Sequence, residues 1–203
     1  MPRRRAPRGD QTRRRVAHEA ARIMSEQGVD DYLQAKRKAA ERLGVTDQAS
    51  LPRNAEIEQA LIENQRLFSA DKHRTRLADY RDTAAEVLRL FPEFEPRVTG
   101  AVLSGAVSAG ADVELHLFTD TPEQVTLRLM DAGIPYRLVD RRMRMSGNGH
   151  VRYPGYHFIA DEVPVLLVVF PRDGIRQAPC SPVDGKPMKR ADLRELQLLT
   201  NAS

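Results

Sequence analysis

The sequence predicts an α+β fold, in which an N-terminal helical segment is followed by a small mixed sheet with flanking helices. Through the first 91 residues, apolar side chains recur at helical spacing. Beyond residue 92, short apolar runs with a period of two are separated by Gly and Pro, which is typical of strands joined by turns. A chain of 203 residues, 41% of them hydrophobic, is long enough to bury a core of this kind.

Four helices are expected in the N-terminal segment. Their expected ranges are from a cap at Asp10 or Thr12 to Gly28, about 31–43, 54 to about 68, and 71–90. Asn54 is the expected cap of the third helix, and Pro92 stops the fourth because proline cannot continue a helix.

The second half alternates strands with one internal helix and one terminal helix. Strands are expected at about 97–103, 112–118, 134–139, 143–145, 153–160 and 163–170, and helices at 121–132 and 192–200. Polar residues alternate strictly with apolar ones in 112–118, so we expect Asp112, Glu114 and His116 on a half-exposed face. The run 163–170 is apolar on both faces, which predicts a central strand.

These patterns divide the chain into four segments. They are a disordered basic arm (1–12), a helical region (13–91), an α+β domain (92–171) and an irregular tail with a terminal helix (172–203).

Positive charge is concentrated at the N-terminus. The net charge of +4 divides into +6 over residues 1–45 and −2 over the remainder. Guanidinium groups pair readily with phosphates, and such contacts give salt-sensitive binding without sequence preference. The arm therefore predicts contacts with RNA or DNA through Arg3, Arg4, Arg5, Arg13, Arg14 and Arg15. The alternative is a solvated tail without function.

The single cysteine, Cys180, excludes an intramolecular disulfide, and we expect it to be a small packed residue. The sequence contains no apolar stretch of about 20 residues and no apolar segment after the basic N-terminus. These observations predict a cytoplasmic, bacterial-type protein without a membrane partner.

One constellation suggests chemistry. Asp112 and Glu114 stand at positions i and i+2 of a strand, with Cα atoms about 7 Å apart on one side. Two such carboxylates can hold a hard cation, typically Mg²⁺ that bridges to substrate phosphates. Gly100 and Gly105 precede them, and glycine lets the backbone approach a phosphate closely.

This spacing resembles the nucleotidyltransferase superfamily with the DNA-polymerase-β-like fold, over roughly residues 85–171. Gly100 and Gly105 match the two glycines of that family, and Asp112 and Glu114 match its first two metal-binding acids. The resemblance implies that Asp112 and Glu114 are catalytic and bind Mg²⁺. It also implies that Gly100, Ala101 and Gly105 bind a nucleoside triphosphate, whose nucleotidyl group would pass to RNA or to a protein hydroxyl.

Two positions depart from the family pattern. Ala101 stands where the family has a phosphate-binding serine, and Leu166 stands where a later strand carries the third acid. The nearest acids, Asp161 and Glu162, fall in the expected turn before that strand. His116 continues the face of the acidic pair, and we expect it to be a solvated histidine rather than a third metal ligand.

The N-terminal helices resemble, loosely, the start of TetR-type repressors. The residues that carry this resemblance are an Arg-flanked, Ala-rich helix, then Gly28-Val29, then the run Ala39 to Val45. It implies a helix-turn-helix, although the segment 46–53 follows where a recognition helix should begin.

Two principal hypotheses follow. In the first, the protein binds Mg²⁺ and a nucleoside triphosphate and transfers a nucleotidyl group. In the second, it keeps the fold without catalysis and binds nucleic acid through its N-terminal charge.

Overall fold

The computed structural model describes residues 8–29, 31–68, 70–147 and 149–201. The chain divides into two compact units, with the boundary between His73 and Arg74. Residues 1–7, which include Arg3, Arg4 and Arg5 of the expected arm, lie outside the described residues. Residues 8–12 belong to the first helix, which begins at Arg8, before either expected cap.

The described part of the first unit contains three α-helices and a 3₁₀ turn. They are α1 (Arg8–Gln27), α2 (Tyr32–Arg42), the turn (Gln48–Ser50) and α3 (Asn54–Phe68). Helix α1 packs against both α2 and α3, and the alanines Ala20, Ala21, Ala35 and Ala39 are among the fully buried residues of α1 and α2. Asp31 caps α2 by accepting a 2.7 Å hydrogen bond from the N–H of Gln34.

Residues 43–53 separate α2 from α3, so no helix follows Gly44 directly. The expected cap Asn54 is the first residue of α3, and the N–H of Arg53 before it donates to Glu56 Oε2 at 2.7 Å. That contact is one half of a capping box.

The second unit is built around a six-stranded mixed sheet. Its strands are β1 (Arg97–Thr99), β2 (Val113–Phe118), β3 (Arg137–Arg144), β4 (His150–Ala160), β5 (Val163–Phe170) and β6 (Arg190–Ala191). Its helices are α5 (Ala101–Ser104), α6 (Glu123–Asp131) and α7 (Leu193–Asn201), together with most of α4 (Ala70–Leu90) and short 3₁₀ turns at Pro92–Phe94 and Arg172–Arg176. The α+β class is therefore confirmed.

The strand order is β3-β4-β5-β2-β1-β6, so β5 lies inside the sheet, as its apolar sequence predicts. Strands β2 and β5 are parallel, and every other neighbouring pair is antiparallel.

The first face of the sheet carries the main core. Alternate residues of β2 and β5 join one apolar cluster with the helices, including Leu88 of α4, Leu129 of α6 and Leu196 of α7. The second face, which carries Glu114, His116 and Phe118, holds a smaller apolar cluster beside the polar residues described below. All six residues of β2 are buried. The expectation of a half-exposed strand, with a solvated His116, is therefore wrong.

Three predicted elements differ from the structure. The strand expected at 97–103 ends at Thr99, because Gly100 has φ +71° and begins the short helix α5. The two short strands expected at 134–139 and 143–145 form the single strand β3. Most of the fourth helix expected at 71–90, which the sequence placed in the helical region 13–91, belongs to the second unit, since the buried residues of α4 join the core of the sheet.

After β5, the chain runs to the edge of the sheet formed by β3, and it then returns to the other edge, where it forms β6. The N–H of Cys180 donates to the carbonyl of Arg144 on the edge strand β3, at 2.7 Å. A tight turn follows, in which the N–H of Lys186 donates to Asp184 Oδ1. Gly185 has φ +74°, and a Cβ there would stand 2.7 Å from the guanidinium of Arg144.

Candidate functional site

The predicted acidic pair lies on the second face of the sheet. Asp112 directly precedes β2 and keeps 38% of its side-chain surface exposed. Glu114 is inside β2, and only 11% of its side chain is exposed. An acid buried to this extent needs compensating partners, because removing its charge from water is costly.

Both carboxylate oxygens of Glu114 have such partners. Oε1 accepts a hydrogen bond from His116 Nε2 at 3.1 Å, and Oε2 accepts one from Arg141 Nη2 at 3.0 Å. Burial by itself raises the pKa of Glu114, but His116 and Arg141 together hold that pKa below its ordinary value. Glu114 is therefore a carboxylate that is already neutralised within the fold.

A second arginine fixes the tautomer of His116. Arg190 Nε donates to His116 Nδ1 at 2.8 Å, and a guanidinium nitrogen can only donate. Nδ1 therefore carries no proton, and Nε2 carries the hydrogen that is donated to Glu114. His116 is fully buried, and this burial lowers its pKa, so the ring is neutral.

Arg190 is held by hydrogen bonds and by two aromatic rings. Its Nη1 donates to the carbonyl of Gly174 at 2.8 Å, and its guanidinium carbon lies about 5 Å from the ring centres of Phe118 and Phe170. Burial lowers its pKa to about 10. Its Nη2 is buried without a hydrogen-bond partner among the described residues, beside these two aromatic rings.

Asp112 is engaged as well, although less completely. Its Oδ1 accepts a 3.1 Å hydrogen bond from Nε2 of His157, on β4. The two acids thus have different hydrogen-bond partners: Asp112 accepts from His157, and Glu114 accepts from His116 and Arg141.

The position that the resemblance assigns to a third acid is occupied by an apolar side chain. In the parallel pairing of β2 with β5, Leu166 stands directly opposite Glu114, and it is buried. Asp161 and Glu162 occupy the exposed turn before β5, with φ values of +46° and +67°. Among the described residues, no group of three or more His, Cys, Asp or Glu side chains is arranged to hold a metal ion.

The donor set therefore does not fit the Mg²⁺ that the nucleotidyltransferase resemblance implies. Mg²⁺ prefers several oxygen ligands in octahedral geometry. Here one acid is hydrogen-bonded to an arginine and a histidine, and the other to a second histidine, with leucine in the third position.

The predicted phosphate loop folds as a short helix. Gly100 (φ +71°) and Gly105 (φ +81°) bracket α5, and both occupy conformations that favour glycine. Ala101 is half-buried against the main core and offers no hydroxyl group. The positive φ angles at the two ends of α5 are therefore a sufficient reason for glycine at both positions, without a bound phosphate.

The described arginines of the predicted nucleic-acid contact differ in their surroundings. Nη2 of Arg13 donates to the carbonyl of Ala49 at 2.9 Å, and so it anchors the 3₁₀ turn. Arg14 and Arg15 are exposed on α1, and neither forms an ion pair within the part of the chain that the structure describes. Arg22, on the same helix, is paired with Glu19 and Glu26.

Sequence reasoning missed the groups that complete the acidic site. Arg141 reaches it from β3, His157 reaches it from β4, and Arg190 reaches it from β6. The available signal was indirect: a buried carboxylate implies a cationic partner, but it does not indicate which of 32 Lys and Arg residues supplies it.

Compared with known proteins, the chain matches no family model, no curated protein and no solved structure. Within the described ranges, no helix is long and apolar enough to cross a membrane.

Proposed function

We propose that this protein is a non-catalytic nucleic-acid-binding protein, in which the acidic pair of the sheet is structural and the N-terminal basic residues contact phosphates. The proposal corresponds to the second of the two hypotheses drawn from the sequence.

The observation that carries the non-catalytic part is the environment of Glu114. Its two oxygens are hydrogen-bonded to His116 and Arg141, and Leu166 faces it across the sheet. A nucleotidyl transfer centre needs carboxylates free to hold metal ions and to activate the attacking hydroxyl. A metal ion at Glu114 would compete with these two hydrogen bonds: loss of the first leaves the buried ring of His116 without its acceptor, and loss of the second leaves the half-exposed guanidinium of Arg141 without its partner.

The binding part is supported by the exposed charge of α1. Arg14 and Arg15 project from a helix whose opposite side is buried against α2 and α3. Because neither is neutralised by an acid of the described chain, each is available to a phosphate. Residues 1–45 carry a net charge of +6, so the local field attracts a polyanion.

The test is fluorescence anisotropy with a labelled duplex and a labelled single strand, over a series of salt concentrations. We expect the double variant Arg14→Ala/Arg15→Ala to bind more weakly and to lower the slope of log K against log salt by up to about two. A variant that lacks residues 2–7 measures the contribution of Arg3, Arg4 and Arg5 separately.

Arg53→Ala/Arg66→Ala is the matched control, because it removes the same charge from exposed positions of the same unit. If the two double variants lose equal affinity, binding depends only on the net charge of the protein, and a contact surface on α1 is refuted. Nucleoside triphosphate binding that requires Mg²⁺ and is abolished in Asp112→Ala would refute the proposal that the acidic pair is structural.

A further inference from the structure

The strands β3 and β4 extend beyond the rest of the sheet as a two-stranded ribbon. They pair from Arg137↔His157 to Arg144↔His150. Strand β4 pairs with β5 only from Gly155 to Ala160. Residues 150–154 therefore have β3 as their one ladder partner, and the ribbon projects at the sheet edge.

One face of this projection is basic. Arg142 lies directly opposite Arg152, and Arg144 lies directly opposite His150. All four residues are exposed. They are named here the basic ribbon. The nearby acid Asp140 is 70% exposed and approaches Arg152 only to 3.7 Å, so it compensates the charge weakly.

A directly opposed pair of arginines, Arg142 and Arg152, is unusual in a sheet that is built for stability alone. Like charges directly across a strand pair are destabilising, whereas opposite charges or apolar pairs are favourable. Nothing in the described chain neutralises Arg142, so an external anion is the natural compensating group.

The other face of the ribbon anchors it. Met143 is buried in the small apolar cluster of the second face, and the ring of Tyr153 lies 4.2 Å from that of Phe170. Alternation along the strands then directs the basic ribbon away from this cluster. The ribbon is thus fixed by one face and offers the other to a partner.

We propose that the basic ribbon binds the phosphate backbone of duplex nucleic acid, as a second contact surface in the second unit. The inference builds on the proposed nucleic-acid-binding function, but it rests on different residues. Arg142 and Arg144 lie about 7 Å apart along β3, which is comparable to the separation of successive phosphates on one strand.

Three further points favour a duplex. The strong cations of the ribbon are all arginines, whose planar forks suit phosphate oxygens. The basic face carries no Phe, Tyr or Trp among its described residues, so it has no platform for stacking the bases of a single strand. A two-stranded β-ribbon is also narrow enough to enter the major groove of DNA.

The test uses the full chain and a labelled duplex of about two helical turns, with anisotropy measured over a salt series. Arg142→Gln/Arg152→Gln removes the central pair. The matched control, Arg89→Gln/Arg194→Gln, removes two exposed arginines from α4 and α7 of the same unit. We expect the ribbon variant to lose about ten-fold or more in affinity and its salt slope to fall by nearly two, and the control to change less than about two-fold.

The ribbon variant should also unfold at an equal or higher urea concentration, because it relieves repulsion. A lower midpoint would show that the pair stabilises the fold, which overturns the premise. Equal losses for ribbon and control, tighter binding of a single strand, or complete displacement of the duplex by polyglutamate at the same charge concentration would each overturn the proposal.

The Arg14→Ala/Arg15→Ala variant, measured beside these, separates the two proposals. If only that variant loses affinity for the duplex, the proposed function stands and binding by the basic ribbon is refuted. If only the ribbon variant loses affinity, binding by the basic ribbon is supported and the contact surface on α1 is refuted. If neither variant loses affinity, both proposals are refuted.

Discussion

Replacing Glu114 by Gln distinguishes a structural acid from a catalytic one by the sign of the stability change. Gln keeps the shape of the side chain and can still accept a hydrogen bond from His116, but it removes the negative charge that faces Arg141. If the acid is structural, E114Q destabilises the second unit. If Glu114 instead belonged to a site of mutually repelling carboxylates, removing its charge would relieve strain and stabilise the fold.

The magnitude follows from the two contacts. A hydrogen bond to a charged group contributes about 1.5–3 kcal/mol net. The Arg141 side chain is 50% exposed, so solvent screens that contact, and the His116 contact persists in neutral form. We therefore expect E114Q to lower the free energy of unfolding by about 1–2 kcal/mol. With a urea m-value near 2 kcal/mol/M, the midpoint falls by about 0.5–1 M.

Urea unfolding at neutral pH, followed by tyrosine fluorescence, is the appropriate assay. The chain has no Trp, and four of its five tyrosines (Tyr80, Tyr136, Tyr153 and Tyr156) lie in the second unit, so the signal reports mainly on the sheet. Glu86→Gln, at an exposed position of α4, is the matched control. A midpoint that rises in E114Q, or that falls equally in both variants, would contradict the structural assignment.

Three further outcomes are expected from the same unfolding assay. Burial lowers the pKa of His116, so the contribution of the neutral ring to stability is complete above the ordinary pKa of about 6.5 and is lost as the pH falls below that value. The urea midpoint of the unchanged protein should therefore decrease from pH 7 to pH 5.5, and the decrease should be smaller in His116→Gln. Leu166→Ala should cost about 2–5 kcal/mol and Leu166→Asp more, whereas stabilisation of Leu166→Asp by Mg²⁺ would reveal a latent metal site. Gly155→Ala should cost about 1–3 kcal/mol, because its Cβ would stand 2.9 Å from Val139 Cγ2 and 3.0 Å from the carbonyl oxygen of Leu167; an unchanged midpoint would show that these neighbours yield freely.

The elements that could be predicted are those specified by their own local sequence. Strand β5 is apolar on both faces and lies inside the sheet, between β4 and β2. Helix α2 has Asp31 at its start and Gly44 after its end, and it occupies the expected range. Hydrophobic period and capping residues act over a few positions, so a single sequence contains them.

The polar face of β2 could not be predicted, because the residues that cover it are distant in sequence. Arg141 and Arg190 follow the residues that they contact, Glu114 and His116, by 27 and 74 positions. Alternation of polar and apolar residues describes a half-exposed strand and a strand with a buried polar network equally well. Only the tertiary pairing separates the two cases.

The basic ribbon could not be predicted from the sequence for a different reason. Summing charge over the body of the chain gives −2, because acids elsewhere offset the arginines of β3 and β4. The sequence also predicts two short strands, 134–139 and 143–145, in place of β3, and this prediction leaves Arg142 outside both strands. The register of an antiparallel pair then brought Arg152 opposite Arg142.

The hydrogen bond between Arg190 and His116 has a consequence for synthesis of the chain. During translation, β2 leaves the ribosome well before β6, since 74 positions separate these two residues. Until residue 190 emerges, His116 Nδ1 lacks its donor and β1 lacks its antiparallel neighbour β6. The nascent sheet therefore remains open along β1, and we expect the second unit to become resistant to protease only after β6 has been made.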